Sequence, residues 1–301
     1  MQKTVSGTKI KFTILTALFA LFVLPGANLQ AMTDTELSSF LNGLPAKIDM
    51  SQAHVSVVDM RDPVNPVRAG LRDMEIVPAA SIIKLTLISG AYRAANEDGL
   101  SFDKTITIKK ENYTGTWAPE NDPYPQLRPG AVWKIKDLVE VMIRRSDNVA
   151  TNTLIDELRR ERVTEFMHSA GCDKTFLRHK LSSGSDVADP DATGYNAMPP
   201  YDAATALYLI ASGKMVNKEA SAAMYETLSH QMDRDLIASV LPPGVVYAGK
   251  TGELSAARND AAIVKGPGRS YVLVIYTSLP DAKAKPVIQA ITREVDAFLS
   301  K

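Results

Sequence analysis

Three short strings in the sequence carry side chains that could together perform acyl transfer without a histidine. They are Ser81-Ile82-Ile83-Lys84, Ser146-Asp147-Asn148 and Lys250-Thr251-Gly252. A serine hydroxyl attacks a carbonyl carbon when a nearby base accepts its proton, and a desolvated lysine can be that base. Each string alone is weak, because Ser-x-x-Lys also occurs at Ser6 to Lys9 and at Ser101 to Lys104. Context and spacing therefore decide what the strings mean.

The first string predicts a nucleophile and its base on one face of a helix. Ser81 opens an apolar helical pattern that runs to Gly99, so Lys84 lies one turn later on the same face. Apolar neighbours such as Ile83 and Leu85 would desolvate Lys84, lower its pKa and favour the neutral amine that accepts a proton. The alternative interpretation is a serine helix cap followed by a surface lysine.

The other two strings could add polar groups to the walls of a cleft. Ser146-Asp147-Asn148 falls between helical patterns at residues 135–145 and 149–170, where it could present a hydroxyl and a carboxamide or simply cap a helix. Lys250-Thr251-Gly252 ends a strand-like run, which would fix a cation and a hydroxyl beside an edge backbone. A surface strand end is the plainer alternative for this third string.

The elements around these strings predict an α+β fold. One strand pair comes early and three strands come late, so we expect one antiparallel sheet assembled from both chain ends, covered by the terminal helices, with an inserted all-helical domain. The sheet domain would comprise residues 32–74 and 232–301, the helical domain residues 75–231, and the active site would lie between them. The predicted strands are 54–60, 67–71, 245–250, 259–265 and 271–278, and the predicted helices are 35–41, 81–99, 135–145, 149–170, 201–215, 218–230, 235–241 and 285–299.

The order and separation of the three strings resemble those of class A β-lactamases and related penicillin-binding proteins. Their first residues are 65 and 104 positions apart, at a predicted helix start, an interhelical turn and a strand, and the resemblance covers residues 35–301. The resemblance implies that Ser81 is the acylated nucleophile, that Lys84 accepts its proton, and that Ser146 passes a proton to the leaving nitrogen. The backbone N–H groups of Ser81 and Glu253 would form the oxyanion hole. The implied substrate-binding residues are Asn148, Lys250, Thr251, Gly252 and Arg258.

The sequence departs from the family pattern in two ways. Class A enzymes hydrolyse the acyl-enzyme with a water activated by a glutamate on the loop after the second motif, whereas residues 175–200 contain no glutamate, and the family spacing lands near Ser182. Glu253 also follows Gly252 where a small residue is usual. We therefore predict acylation with slow release, and faster release in a Ser182→Glu variant. The carboxylates of the segment are Asp186, Asp189 and Asp191.

The resemblance implies a β-lactamase-type serine hydrolase that needs no cofactor or metal and takes a β-lactam or a D-Ala-D-Ala peptide as its ligand. A penicillin-binding D-alanyl-D-alanine peptidase is the runner-up, and a non-catalytic peptide-binding homologue is a further alternative. Cys172 is the only cysteine and the four histidines are scattered, so neither a disulfide nor a zinc site is expected. The string Gly244 to Thr251 also matches the phosphate-loop pattern, but no strand precedes it and no helical pattern follows it.

The first 31 residues predict a cleaved signal peptide. Three lysines precede an apolar run from Phe12 to Leu24, and small residues lead to Ala31. We therefore expect an exported protein, periplasmic or secreted, that is a monomer with no membrane segment after cleavage. Without those three lysines, 31 of the 34 basic residues remain against 34 acidic ones, and the resulting net charge of −3 disfavours nucleic acid as a partner.

Overall fold

The structure is a computed structural model, and it describes residues 32–115, 117–182, 189 and 191–300. From Met32 onwards the chain forms one compact unit. The predicted signal peptide lies outside the described residues, so its cleavage and the export of the protein stay predictions. No helix within the described ranges is both long enough and apolar enough to cross a membrane.

The described residues form eight α-helices and seven strands. The strands are β1 Ala53–Asp59, β2 Val67–Leu71, β3 Thr105–Thr107, β4 Val132–Lys134, β5 Val246–Leu254, β6 Ala257–Gly266 and β7 Arg269–Thr277. The helices are α1 Asp34–Gly43, α2 Lys84–Glu97, α3 Ile135–Arg144, α4 Asn148–Leu158, α5 Arg160–Ser169, α6 Pro200–Ala211, α7 Lys218–Ser229 and α8 Asp281–Leu299.

Five of the strands form the antiparallel sheet that the sequence predicts, and both ends of the chain contribute to it. The strand order is β2-β1-β7-β6-β5, with β1 and β2 from the start of the chain and β5 to β7 from its end. Neighbouring strands run antiparallel, with Thr251 of β5 opposite Asp260 of β6. The central strand β7 is apolar throughout its buried run from Tyr271 to Tyr276, because both of its faces are covered. Strand β5 is left at an edge.

The two faces of the sheet pack against different helices. Successive side chains of a strand point to opposite faces, so Val272 and Val274 of β7 join one apolar cluster while Leu273 and Ile275 join another. The first cluster also contains apolar residues of α2 to α7, and the second contains those of α1 and α8. The helices from the two chain ends therefore cover one face, as predicted. The division of the chain into two domains stays a prediction.

Three stretches differ from the predicted elements. The helical pattern at residues 149–170 is two helices, because Arg159 adopts a φ of 65° and separates α4 from α5. A single 3-10 turn, Ile237–Val240, stands where the helix at residues 235–241 is predicted. Strands β3 and β4 pair as a separate small sheet. With three residues each, they are too short to produce a readable alternation.

The three strings sit where elements of this fold meet. Ser81 lies in the 3-10 turn Ala80–Ile83 that leads into α2, Ser146 lies between α3 and α4, and Lys250 lies on β5. The first eight residues of α2 are all buried. Because the core holds the start of α2 on every side, the turn that carries Ser81 has a fixed position.

Candidate active site

Ser81 lies on a strained turn beside a cavity. The 3-10 turn precedes α2, so the helix predicted from Ser81 begins with a tighter geometry, in which residues three apart, such as Ser81 and Lys84, lie one above the other. Ala80 has a φ of 50°, a left-handed value that costs a non-glycine residue about 1 kcal/mol or more. Ser81 lines a cavity of about 660 Å³. Strain of this kind is typical of a residue whose position matters for function.

Gly252 allows strand β5 to come close to that turn. A Cβ atom at this position would lie 2.8 Å from the carbonyl oxygen of Ala79 and 3.2 Å from Cγ1 of Ile82. Because Cβ atoms essentially never approach other atoms within 3.0 Å, a larger residue would push β5 away from Ser81. Gly252 is predicted to bind substrate, and the structure gives it a role in setting the distance between β5 and Ser81.

Lys84 is fully buried and joins the first string to the second. Its Nζ donates hydrogen bonds to the backbone oxygen of Ser146 at 2.7 Å, to Ser146 Oγ at 2.9 Å and to Asn148 Oδ1 at 2.7 Å. Burial, followed by the nearby charge of Lys250, lowers the pKa of Lys84 well below its usual value, and Asp147 opposes this shift. The prediction of a desolvated lysine therefore describes Lys84 better than the alternative of a surface lysine.

In the second string, one residue caps a helix and the two residues beside it present polar groups to the cavity. Asp147 caps α4, because its carboxylate accepts a hydrogen bond from the backbone N–H of Ala150 at 3.0 Å. Ser146 adopts a φ of 58°, and both Ser146 and Asn148 contact Lys84 and line the cavity. The cap thus fixes the start of α4, and the residues on either side of Asp147 supply the polar groups of the cleft.

Lys250 and Thr251 lie buried on the strand at the other wall of the cleft. Lys250 Nζ donates a hydrogen bond to the backbone oxygen of Thr251 at 2.8 Å. Burial lowers the pKa of Lys250 to about 7, against the opposing influence of Asp233 and Asp260. The Thr251 hydroxyl accepts a hydrogen bond from Gln231 at 3.4 Å. The charge of Lys250 is therefore lost more easily than that of an exposed lysine.

Arg258 lines the same cavity but is already surrounded by carboxylates. Its Nε lies 2.7 Å from Asp281, one terminal nitrogen lies 2.7 Å from Asp233, and the other lies 3.5 Å from Glu253. Sequence reasoning predicts Arg258 as a partner for a substrate carboxylate but does not predict these three neighbours. Asp233 and Asp281 are more than twenty residues away along the chain, and neither belongs to a recognisable motif.

The long loop after the second string is tied to α4 through Leu181. Asn152, one helical turn after Asn148, donates from its side chain to the Leu181 oxygen at 2.8 Å and accepts from the Leu181 N–H at 2.7 Å. Leu181 is partly buried and packs against the larger apolar cluster, whereas Ser182 is exposed. The structure thus fixes Leu181 beside α4. The family spacing reaches the next residue, Ser182.

The carboxylates of this loop have different surroundings. Asp189 binds Arg160 at 2.6 Å and accepts a hydrogen bond from the Lys180 N–H at 2.6 Å, so it holds the loop together. Asp191 is exposed, and Asp186 lies outside the described residues. Among the described carboxylates of the segment, Asp189 has its oxygens engaged by these partners. It is therefore a poor candidate for a free general base.

The cavity brings together most of the predicted site residues and several that sequence reasoning misses. Of the predicted residues, Ser81, Ser146, Asn148, Thr251, Glu253 and Arg258 line it, while Lys84 and Lys250 are buried behind them. Trp117, for which the sequence leaves a place in the cleft wall and a loop packing role both open, also lines the cavity. The lining residues without a sequence signal are Arg144, Arg145, Gln231, Met232, Asp233, Leu254 and Ser255.

The described part of the chain contains no group of three or more His, Cys, Asp or Glu side chains that could hold a metal ion. Cys172 is buried, and burial raises the pKa of its thiol. The phosphate-loop alternative also fails, because β5 continues through Thr251 to Leu254 where that motif requires a helix. The polar groups that line the cavity are hydroxyl, amide, guanidinium and carboxylate groups.

A serine on a strained turn, a buried amine that contacts a second serine, and a strand edge with a lysine and a threonine define the class of active-site serine hydrolases. The match to known sequences is more specific. The sequence profile of the beta-lactamase enzyme family matches residues 36–299, and the chain belongs to this family.

Several known proteins are similar to the chain. A β-lactamase of Streptomyces cellulosae is 27% identical over 223 residues, which are 71% of this chain and 69% of that protein. The structure of a β-lactamase from Sphaerobacter thermophilus matches with a TM-score of 0.72 and 24% identity over 87% of this chain and 97% of the other. PBP-A matches with a TM-score of 0.74 and 21% identity over 87% and 96% of the two chains. A leucine-to-glutamate mutant of PBP-A was solved as an acyl-enzyme complex with penicillin G.

Proposed function

We propose that the protein is acylated on Ser81 by β-lactams and releases the opened product slowly. In acylation, Ser81 Oγ forms a bond to the lactam carbonyl carbon and the amide C–N bond breaks. The hydroxyl proton of Ser81 ends on the lactam nitrogen. In release, water adds to the acyl carbon, the ester C–O bond breaks and Ser81 regains a proton. No cofactor takes part in either step.

The contacts of Lys84 carry this proposal. As an ammonium, Lys84 uses all three hydrogens in its bonds to Ser146 and Asn148. As a neutral amine it keeps two hydrogens and gains a lone pair that can accept the proton of Ser81. Its lowered pKa favours the neutral form. The Ser146 hydroxyl, in contact with Lys84, then passes a proton to the leaving nitrogen.

The remaining residues would hold the substrate while this proton moves. The backbone N–H groups of Ser81 and Glu253 would stabilise the oxyanion, and losing one such donor typically costs roughly 100- to 1000-fold in rate. Asn148 would bind the substrate amide, and Lys250 with Thr251 would bind its carboxylate. To contact the substrate, the Arg258 guanidinium would have to bind it while already paired with Asp233, Glu253 and Asp281.

Slow release follows from the loop. Residues 175–200 contain no glutamate, and Asp189 is bound to Arg160. Loss of a general base typically lowers a rate roughly 100- to 10,000-fold, so a common turnover of about 10 per second would become about 0.1 to 0.001 per second. PBP-A shares the fold, and its leucine-to-glutamate mutant forms an acyl-enzyme with penicillin G, which supports acylation in this fold.

The absent loop glutamate also favours a second candidate, a D-alanyl-D-alanine peptidase that acts on cell-wall peptides. Either activity fits a monomer exported to the periplasm or the medium, and the first would contribute to antibiotic resistance. Family membership favours both enzymes over a non-catalytic peptide-binding homologue.

Intact-mass analysis after incubation with a fluorescent penicillin tests the proposal. We expect one adduct on Ser81, none in a Ser81→Ala variant, and decay of the adduct over seconds to minutes. Absence of any adduct would refute acyl transfer. Parallel turnover of a chromogenic cephalosporin and a D-Ala-D-Ala peptide separates the two enzymatic candidates.

A further inference from the structure

The end of the cleft around Thr251 carries more negative than positive charge. Arg258 contacts the carboxylates of Asp233 at 2.7 Å, Asp281 at 2.7 Å and Glu253 at 3.5 Å. Three acidic groups thus surround a single guanidinium. This arrangement is unusual for a site whose proposed task is to bind the carboxylate of a substrate, because an anion is attracted by cations and repelled by carboxylates.

The exposed part of this cluster is acidic. The Arg258 side chain is 7% exposed, whereas that of Asp233 is 33% exposed and that of Glu253 is 62% exposed. Asp233, Glu253 and Arg258 all line the cavity with Ser81. Lys250 is fully buried beneath them, and because burial lowers its pKa to about 7, it contributes only part of a positive charge at neutral pH. A ligand therefore meets the two carboxylates before it meets the cations.

The other cations of the cavity do not change this balance. Arg144 is bound to Asp122 at 3.2 Å, and Arg145 lies 3.5 Å from both Asp122 and Asp147. Arg145 also donates hydrogen bonds to the backbone oxygens of Tyr124 and Pro125. These two arginines are compensated by their own acidic partners.

We propose that this end of the cleft selects β-lactams that carry a permanent positive charge next to their carboxylate. Such a ligand offers its carboxylate to Lys250 and Thr251 and its cation to Asp233 and Glu253. A ligand with the carboxylate alone gains the same contacts with Lys250 and Thr251, but it has no cation to offset the repulsion from Asp233 and Glu253. The inference rests on the proposed function, because it names the substrate class of the same acylation site.

Two cephalosporins with the same acyl side chain test the proposal. One carries a neutral acetoxymethyl group and the other a pyridiniummethyl group at the carbon beside the carboxylate-bearing carbon. The second-order rate constant for formation of the Ser81 adduct is measured for both by intact mass, in the wild type and in Glu253→Gln. Dividing the wild-type ratio of rate constants by the ratio in the variant cancels the different intrinsic reactivities of the two lactams.

We expect the quotient to be roughly two- to fivefold in favour of the cationic compound, the size of an ion pair with a largely exposed carboxylate. It should approach one at about 1 M salt, where the screening length is about 3 Å. Glu294→Gln removes an exposed carboxylate of α8 that pairs with Lys47 and should leave the ratio at the wild-type value. Because the Glu253 side chain is largely exposed, the variant is expected to fold.

A quotient of one at low salt, or a value that salt does not change, overturns the proposal even when both compounds acylate Ser81. Failure of both compounds to form any adduct with the wild type overturns the proposed function instead.

Discussion

Two buried sites on opposite sides of the central sheet hold charge in different ways. On the α8 face, Asp296 accepts hydrogen bonds from Arg269 at 2.7 and 3.1 Å and from the Tyr271 hydroxyl at 2.9 Å. On the cleft side, two lysines, Lys84 and Lys250, are completely buried, and each has a pKa lowered mainly by burial. One face holds a matched ion pair, whereas the other holds cations that are short of countercharge.

This difference separates a structural use of charge from a chemical one. In a matched and hydrogen-bonded pair each charge is satisfied by its partner, so the pair can fix β7 to α8. A buried lysine with too little countercharge lies close to its neutral form and can accept a proton. Under the proposed function, the cleft gives up some stability to hold amines that can accept a proton.

The largest expected effect comes from removing the buried amine of the cleft. Lys84→Met should slow formation of the Ser81 adduct by about 100- to 10,000-fold, the usual contribution of a general base. Unfolding stability should stay level or rise, because a poorly paired buried charge is replaced by an apolar side chain. The pKa of Lys84 is lowered in the folded chain, so the unfolded chain binds more protons and wild-type stability rises with pH. The gain from Lys84→Met should thus be largest at low pH.

Denaturant unfolding at several pH values, beside adduct formation by mass, checks this prediction. A variant that acylates at the wild-type rate would show that Lys84 is not the base. A decrease of several kcal/mol in the free energy of unfolding would show that Lys84 stabilises the fold, as the pair of Arg269 and Asp296 is expected to do.

Supplying a carboxylate to the cleft should have the next largest effect. Leu181 is fixed to α4 by Asn152, so Leu181→Glu should speed hydrolysis of the acyl-enzyme by about 10- to 100-fold. Ser182→Glu, expected from the sequence to do the same, is the matched control, because Ser182 is exposed and should change the rate by about threefold at most. Decay of the adduct is followed by mass after removal of excess penicillin. Faster decay of the adduct in Ser182→Glu than in Leu181→Glu would show that position 182, and not position 181, lies beside the acyl group.

Breaking the matched pair on the α8 face should affect stability alone. Asp296→Asn removes the countercharge of the part-buried Arg269 and should lower the free energy of unfolding by about 1 to 3 kcal/mol. Acylation of Ser81 should be unchanged. Glu294→Gln, which breaks the exposed pair with Lys47 on the same helix, should cost at most about 0.5 kcal/mol. Equal losses in the two variants would contradict the contrast between buried and exposed pairs.

The smallest effect concerns the pH dependence of Lys250. A protonated Lys250 attracts the substrate carboxylate, and its pKa of about 7 means that this form is lost as the pH rises through neutrality. Adduct formation should therefore fall by about three- to tenfold between pH 7 and pH 9 through this group, because a neutral amine still donates hydrogen bonds. Lys250→Arg keeps its charge at these pH values and should remove the decline. An identical pH profile in both proteins would assign the decline to another group.

The sequence predicts those parts of the molecule that depend on neighbouring residues and on motif spacing. Short strand-like apolar runs predict β6 and β7, and the apolar neighbours of Lys84 predict that its amine is desolvated. These features depend on residues that are close together in the sequence, and the three strings rarely occur in this order and spacing by chance.

Long-range pairing and loop register could not be predicted in the same way. The carboxylates around Arg258 come from positions 233 and 281, which only the folded sheet brings together. The structure ties Leu181 to α4, whereas counting along the family spacing reaches the exposed Ser182, because counting does not include the conformation of the loop. Arg159 breaks a helix without the glycine that usually signals such a break.

The close contact at Gly252 has a consequence for the shape of the ligands. Where β5 meets the turn of Ser81, a Cβ atom would lie 2.8 Å from a backbone oxygen and 3.1 to 3.2 Å from two side-chain carbons, so a backbone carbonyl makes the tightest contact across the gap. A side chain can rotate to admit a thicker ligand, but a carbonyl group and a Cα hydrogen cannot. Admission to this end of the cleft should thus depend on the thickness of the ligand, and a thicker acyl group could enter only by moving the edge strand itself.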